Sequence, residues 1–233
     1  MRIVYIDIGL HKEAREIEMM RDTVSALREI TGKELELHVY GYEAHPSYTQ
    51  RLEMRYSDDE NIHIRNAAIC DHNGTASLFL SPSTNGEGNS IHSSKNNVIG
   101  KSITVPARKL SSELINMLKE QPLGRKLGDI VILRFNIEGA ELMMMEDLIG
   151  TNTHRFIDIY CGAPSDIPKV HAIKHKHQEY QDLLESAGIK FIPFHAHYLK
   201  ERESSMIQSM EMILRRMIDT SSIRREHQGD SQK

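Results

Sequence analysis

The residues of this chain with the most chemical use stand where apolar runs stop. Asp7 and Gly9 follow the first Ile/Val/Tyr-rich run and Glu43 closes the second. Asn66 and Ala67 belong to the third, and Asn136 and Glu138 end the most continuously apolar run, Asp129 to Phe135. If these runs are parallel strands, the residues make one polar ring outside the carboxyl ends of a sheet, where open α/β folds bind ligands. Glu43 is the most telling member: an acid ending the second strand is placed to accept two hydrogen bonds from a ribose 2′,3′-diol. The plain alternative is a solvated strand-end acid. The first turn lacks the G-x-G-x-x-G through which a pyrophosphate approaches the backbone, so a nucleoside without phosphates suits it better than a dinucleotide. Glu138 at the strand end and Glu141, one helical turn on, are two carboxylates placed to act on a ligand. Alternatively both carboxylates only complement the dipole of the helix that follows.

The elements that must position these residues alternate between strand and helix signals, the pattern of an α/β fold with a mostly parallel sheet and helices on both faces. A strand over Arg2 to Ile8 precedes a helix from Glu13 to Ile30, whose apolar residues Ile17, Met20, Val24, Leu27 and Ile30 recur in steps of three and four. Leu35 to Tyr42 reads as the second strand and Pro46 opens a short helix to about Tyr56. Ile62 to Ile69 reads as the third strand, joined through Asp71-His72-Asn73-Gly74 to Ala76–Leu80 as a hairpin. Residues 81–100 shift to Ser, Asn and Gly, a loop length typical of lids and binding loops. Ser111 caps a helix carrying Leu114, Ile115 and Leu118. Beyond Asp129 to Phe135 come a helix with Leu142, Met145 and Leu148, a fifth strand over Phe156 to Tyr160, and a helix over Ile173 to Ala187. A sixth strand over Ile189 to Phe194 and a helix over Glu203 to Ile218 complete the set. Residues 1–219 read as one domain and 220–233 as a polar, disordered tail.

Several of these segments resemble, in order from about residue 3 to 160, the FkbM family of S-adenosylmethionine-dependent O-methyltransferases. They are Asp7-Ile8-Gly9, Tyr42-Glu43-Ala44-His45-Pro46, Asn66-Ala67-Ala68 with Asp71-His72-Asn73-Gly74, and most specifically Asn136-Ile137-Glu138-Gly139-Ala140-Glu141. The resemblance implies a Rossmann-like class I methyltransferase fold, S-adenosylmethionine as cofactor and a hydroxyl acceptor, foremost on a sugar of a glycan or glycolipid. It implies that Asp7, Gly9 and His11 face the methionine part of the cofactor, Glu43 the ribose, Ala44 the adenine, and Asn66 and Ala67 the adenine edge. The 81–100 loop, with Ser90 and His92, would cover the acceptor, together with Glu141, while Glu138 and Asn136 would be catalytic. Two departures stand out. The family's first loop reads D-x-G-A-N-x-G, whereas Leu10-His11-Lys12-Glu13 follow Gly9 here. Its K-x-D-x-E-G-x-E appears as Arg134-Phe135-Asn136-Ile137-Glu138-Gly139-Ala140-Glu141. Asn136 can orient a ligand but cannot take a proton.

Composition closes off other classes. With 29 Lys+Arg against 33 Asp+Glu and a net charge of −4, the chain lacks the basic surplus of a nucleic-acid binder. No apolar run approaches the roughly 18 residues of a membrane span, so the protein is expected to be soluble and cytoplasmic. His171, His175 and His177 are interleaved with Lys174 and Lys176, which reads as a solvated basic face rather than a metal site. No metal is expected. His195 and His197 alternate at a strand end and are a further option for lining the pocket, with the segment around Pro164. Cys70 and Cys161 read as buried structural thiols. The stripe Met206, Met210, Ile213 and Met217 is either core or the face of a homodimer. Two other functions fit the fold: a cofactor- or glycan-binding protein that has lost catalysis, and an NAD-dependent oxidoreductase.

Overall fold

The computed structural model describes residues 1–82, 88–120, 128–162, 165–196 and 199–220, and the backbone of 221–229. Its strands are β1 (Arg2–Ile8), β2 (Glu36–Glu43), β3 (Ile62–Asn66), β4 (Ala68–Cys70), β5 (Gly74–Phe79), β6 (Ser102–Lys109), β7 (Ile130–Phe135), β8 (Ile159–Gly162) and β9 (Phe191–Ile192). Its helices are α1 (Arg15–Thr31), α2 (Pro46–Arg55), α3 (Leu110–Glu120), α4 (Glu141–Gly150), α5 (His177–Ser186) and α6 (Lys200–Gly229).

Six strands form a sheet in the order β3-β2-β1-β7-β8-β9, every neighbour parallel. Side chains alternate across it with the period of two that a strand imposes. Ile3 and Tyr5 of β1 and Ile130 and Ile132 of β7 face α1 and α6, in a core with Met20, Leu27, Met210 and Leu214. Val4, Ile6 and Ile8 with Val131, Leu133 and Phe135 face the other way, against Leu114, Leu148 and Tyr180 of α3, α4 and α5. Chain order reverses between β1 and β7, which sets a crevice at their carboxyl ends. The Asn136 N–H donates to the Ile8 carbonyl there at 2.9 Å.

Four expectations need correction. The run Ile62 to Ile69 is two strands, because the chain turns out of the main sheet at Ala67 and β4 joins a second, three-stranded sheet of order β4-β6-β5. The expected hairpin does not form: β6 lies between β4 and β5, parallel to the first and antiparallel to the second. Phe156 ends a short 3₁₀ turn and is largely exposed, so the fifth main-sheet strand starts later, at Ile159. Ser111 is not a cap either, since α3 already begins at Leu110. The Met206–Met210 stripe is core, continued by Leu214 and Ile218 against α1. Helix α6 extends beyond the expected segment at both ends. Both cysteines are buried and free. Among the described residues no helix is long and apolar enough to cross a membrane.

Candidate active site

A cleft of about 760 Å³ opens over the carboxyl ends of the main sheet, roofed on one side by the small sheet. Gly9, His11, Glu43, Ala44, Ala67, Ser90, Asn136 and Glu138 all line it, so most of the strand-end ring meets in one cavity.

At one end stands Glu43, which is 7% exposed. Its Oε2 accepts the His11 N–H at 2.8 Å and its Oε1 the His45 N–H at 2.7 Å. Burial pushes its pKa up, while these donors pull it down and favour the anion. A carboxylate oxygen can accept more than one hydrogen bond, so a ligand hydroxyl can be added to these donors. The walls nearby are apolar: Ala44, Ala67, Ala68, Ile69 and Leu78. Tyr48 stacks on His45 at 4.3 Å between ring centroids and meets the His11 ring edge-on at 5.7 Å. Asn66 does not line the cleft. Its amide donates to the carbonyls of Glu43 and Ala44, at 2.9 Å each, and to Thr49 Oγ1 at 3.1 Å, and so clasps the wall from behind.

The floor is the turn Gly9 to Ala14. Gly9 has φ +80°, and a Cβ there would lie 2.1 Å from the Asn136 carbonyl oxygen, so only glycine fits. Leu10, the first residue of the altered loop after Gly9, is buried in the core. It sits against Gly41, where a Cβ would come within 2.7 Å of Leu10 Cδ1. Its bulk is therefore absorbed by β2.

Asp7 is fully buried and lies beneath the floor, not in it. It is paired in register with Arg134, and both point to the α1 face because they continue the 3-5 and 130-132 series. Arg134 Nη1 donates to Asp7 Oδ1 at 3.0 Å and to the Gly9 carbonyl at 3.1 Å, and Nη2 donates to Glu16 Oε1 at 2.5 Å. Burial lifts the Asp7 carboxyl to about 6, with Arg134 pulling it down and Glu16 pushing it up. The expected contact between Asp7 and a ligand is thus replaced by an indirect role. Asp7 fixes Arg134, which lines the cleft and holds the Gly9 turn.

At the other end Glu138 has φ +57°, a conformation unusual for a side chain larger than glycine. Its carboxylate is ion-paired with Lys95, whose side chain is 2% exposed. Lys95 Nζ also donates to the Gly88 carbonyl at 3.1 Å and Asn97 Oδ1 at 2.9 Å. Burial raises the Glu138 pKa, as does a hydrogen bond with Asp166, while Lys95 lowers it. The Ser90 hydroxyl donates to the Glu138 carbonyl at 2.7 Å and accepts the His92 N–H at 3.1 Å. The His92 ring meets the Gly139 carbonyl at 3.1 Å, so Ser90 and His92 are spent on holding the 138–139 turn. His92 does not line the cleft. Glu141 is buried outside it too: Oε1 accepts the Gly139 N–H at 3.1 Å, and burial brings its pKa to about 7.

Sequence reasoning missed Lys95 and Asp166, because a lysine in a Ser/Asn-rich loop and an aspartate after a strand carry no local mark of burial. It also missed Glu16, the acid that completes the Arg134 network. His195 is not among the lining residues although Ala196 is, and His197 and Pro164 lie outside the described residues. Among the described residues one group of metal-capable side chains gathers, Cys70, Asp71 and His72, none of which lines the cleft. There the His72 ring already faces Asp71 Oδ1 at 2.8 Å and the Thr75 carbonyl at 3.1 Å.

The α/β fold agrees with the comparison to known proteins. No curated protein and no solved structure matches the chain significantly. The family model of the methyltransferase FkbM domain matches residues 7–217, from the first strand end to the last helix, and the chain belongs to that methyltransferase family.

Proposed function

We propose that this protein transfers a methyl group from S-adenosylmethionine to a hydroxyl group, on a sugar of a glycan or glycolipid. The observation that carries the reading is one continuous cleft with a carboxylate at each end: Glu43, buried and held by two backbone N–H groups, and Glu138, half-buried and ion-paired with Lys95. Its volume is in the range of small-ligand sites. The lining fits the cofactor: Glu43 retains lone pairs for a ribose diol, apolar walls flank it for a purine, and Leu10 is folded away into β2. When bound, S-adenosylmethionine supplies an electrophilic methyl group on a sulfonium.

The chain's own residues then have definable tasks. Glu43 binds the diol, and Ala44 and Ala67 contact the base. His11 and Gly9 shape the turn under the amino-acid part, with Asp7 acting through Arg134. Asn136 orients the acceptor hydroxyl and Glu138 takes its proton. Holding the acceptor oxygen in line supplies effective molarity, and removal of the proton completes the reaction. A sugar suits the acceptor end because Asn89, Asn136 and Glu138 present polar groups there. Calorimetry with S-adenosylhomocysteine tests the cofactor, and no heat at millimolar ligand refutes the reading. Transfer of labelled methyl to sugar acceptors tests the reaction, with Glu138→Gln expected to slow it about 10²-fold or more at nearly unchanged cofactor affinity.

A further inference from the structure

Glu138 lies in a ring of charge built from three segments. Lys95 comes from the 88–100 loop, with His92 beside the Gly139 carbonyl. Asp166 comes from the turn after β8 and is ion-paired with Lys169 at 2.6 Å. Glu141 follows from the start of α4. The loop and the turn are stitched together by backbone: Lys95 and Val170 form an antiparallel bridge, the Asn96 N–H donates to the Lys169 carbonyl at 3.1 Å, and the His171 N–H donates to the Ser94 carbonyl at 3.0 Å. Ile167 and Val170 anchor the turn in the core, both fully buried. Asp166 is itself 6% exposed and its carboxyl meets that of Glu138, so that a proton on either one joins the two by a hydrogen bond. Two carboxylates therefore face each other, each with its own lysine.

We propose that Asp166 is a positioning residue for Glu138, and that the two act as a dyad that takes up the proton released when the acceptor hydroxyl is methylated. The inference rests on the methyltransferase reading above. On transfer the acceptor O–H bond breaks and its oxygen forms the new bond to the methyl carbon. The C–S bond breaks with its electron pair remaining on sulfur, and the proton settles between the two carboxylates. One shared proton relieves their mutual repulsion, so an ionised Asp166 makes Glu138 a stronger base than a lone carboxylate. Burial of Asp166 raises its own pKa, but the Glu138 hydrogen bond and Lys169 outweigh this and keep it the more acidic partner. Lys169, with 61% of its side chain exposed, marks the side from which the proton leaves to solvent.

The test reads the coupling directly. In protein labelled with ¹³C at glutamate carboxyls, the Glu138 resonance, assigned by its loss in Glu138→Gln, is expected to titrate above an ordinary glutamate. In Asp166→Asn it should move down by about one unit, as a lost like charge requires. The acid limb of the kcat profile should move with it, with kcat reduced about tenfold or more, KM for the cofactor unchanged, and Asp166→Glu restoring both. A merely structural Asp166 would lower the plateau without moving the limb. If Asp166→Asn does not fold, Lys169→Met, altered at an exposed side chain, reads the same coupling in the opposite direction. Identical Glu138 titration in the wild type and in these variants overturns the dyad. A coupled titration in a protein that methylates nothing overturns the methyltransferase reading and leaves the dyad standing.

Discussion

Glu43→Gln separates a ligand-binding carboxylate from a merely structural one. The two carboxylate oxygens accept N–H groups from His11 and His45, at 2.8 and 2.7 Å, and a carboxylate oxygen can accept a second hydrogen bond. An amide has a single acceptor oxygen, so one of those N–H groups faces an NH₂. Leaving a buried donor unpaired costs about 1–3 kcal/mol of stability. For the ligand, two charge-assisted bonds to the ribose diol, each worth roughly 1.5–3 kcal/mol net, become at most one neutral bond of about 1 kcal/mol. The expected loss of about 2–5 kcal/mol weakens S-adenosylhomocysteine binding by about 30- to 4,000-fold. Calorimetry at a temperature where circular dichroism shows both proteins folded measures it. The 2′-deoxy analogue supplies the second arm: the wild type should discriminate against it and Glu43→Gln should not. Binding by Glu43→Gln within threefold of the wild type, or equal loss with the deoxy analogue in both proteins, refutes the assignment.

Two further outcomes follow from the same geometry. Glu141 is fully buried and its pKa is pushed up to about 7. A raised folded pKa gives a stabilising contribution that is full below the unfolded value near 4.5 and is lost as pH rises through about 7. Glu141→Gln should therefore gain on the wild type by about 3 kcal/mol between pH 4 and 9, read by urea denaturation. A stability difference that does not change with pH contradicts it. Gly9→Ala should cost about 3 kcal/mol from left-handed strain and overpacking together, lower Tm by roughly 5–12 °C and abolish cofactor binding. Gly32→Ala, also at positive φ but in open space, should cost only about 1 kcal/mol. Equal costs at the two positions would show that the contact with the Asn136 carbonyl carries nothing.

The main sheet was legible because its information is local. Period-two alternation and uninterrupted apolar runs mark β1, β2 and β7, and helical spacing marks α1. What failed depended on partners distant in sequence. That β6 inserts between β4 and β5 is written in no local pattern, and a turn with Asp-His-Asn-Gly looks the same whether its strands pair or not. Asp7 was readable in principle: residues 3, 5 and 7 share a face, and so do 130, 132 and 134. That parity sends both to the α1 face, which takes Asp7 out of the cleft and leaves only Arg134 in its lining. Lys95 had no such signal, since its burial comes from the bridge to Val170 across the fold.

Backbone strain makes a further distinction among the cleft residues. The non-glycine residues with positive φ among those described are His11, Ala14, Glu138 and Asn152, and the first three line the cleft. Each costs roughly 1 kcal/mol or more relative to glycine, so each needs a compensating use for its side chain. For Ala14 the use is packing: its methyl group is fully buried in the core beneath α1. Ala14→Gly should therefore be nearly neutral, because strain relief is offset by about 0.8 kcal/mol of lost burial. His11 has no place in that core, and its ring stands on the cleft wall against Tyr48. If its side chain is retained for the ligand, His11→Gly should raise stability by about 1 kcal/mol while weakening S-adenosylhomocysteine at least several-fold. Denaturant titration and calorimetry on the same preparation decide between the two uses. A protein that is more stable and binds as well as before would show that the strain at residue 11 is not kept for binding. The altered first loop would then be a neutral replacement and no part of how this cleft recognises its cofactor.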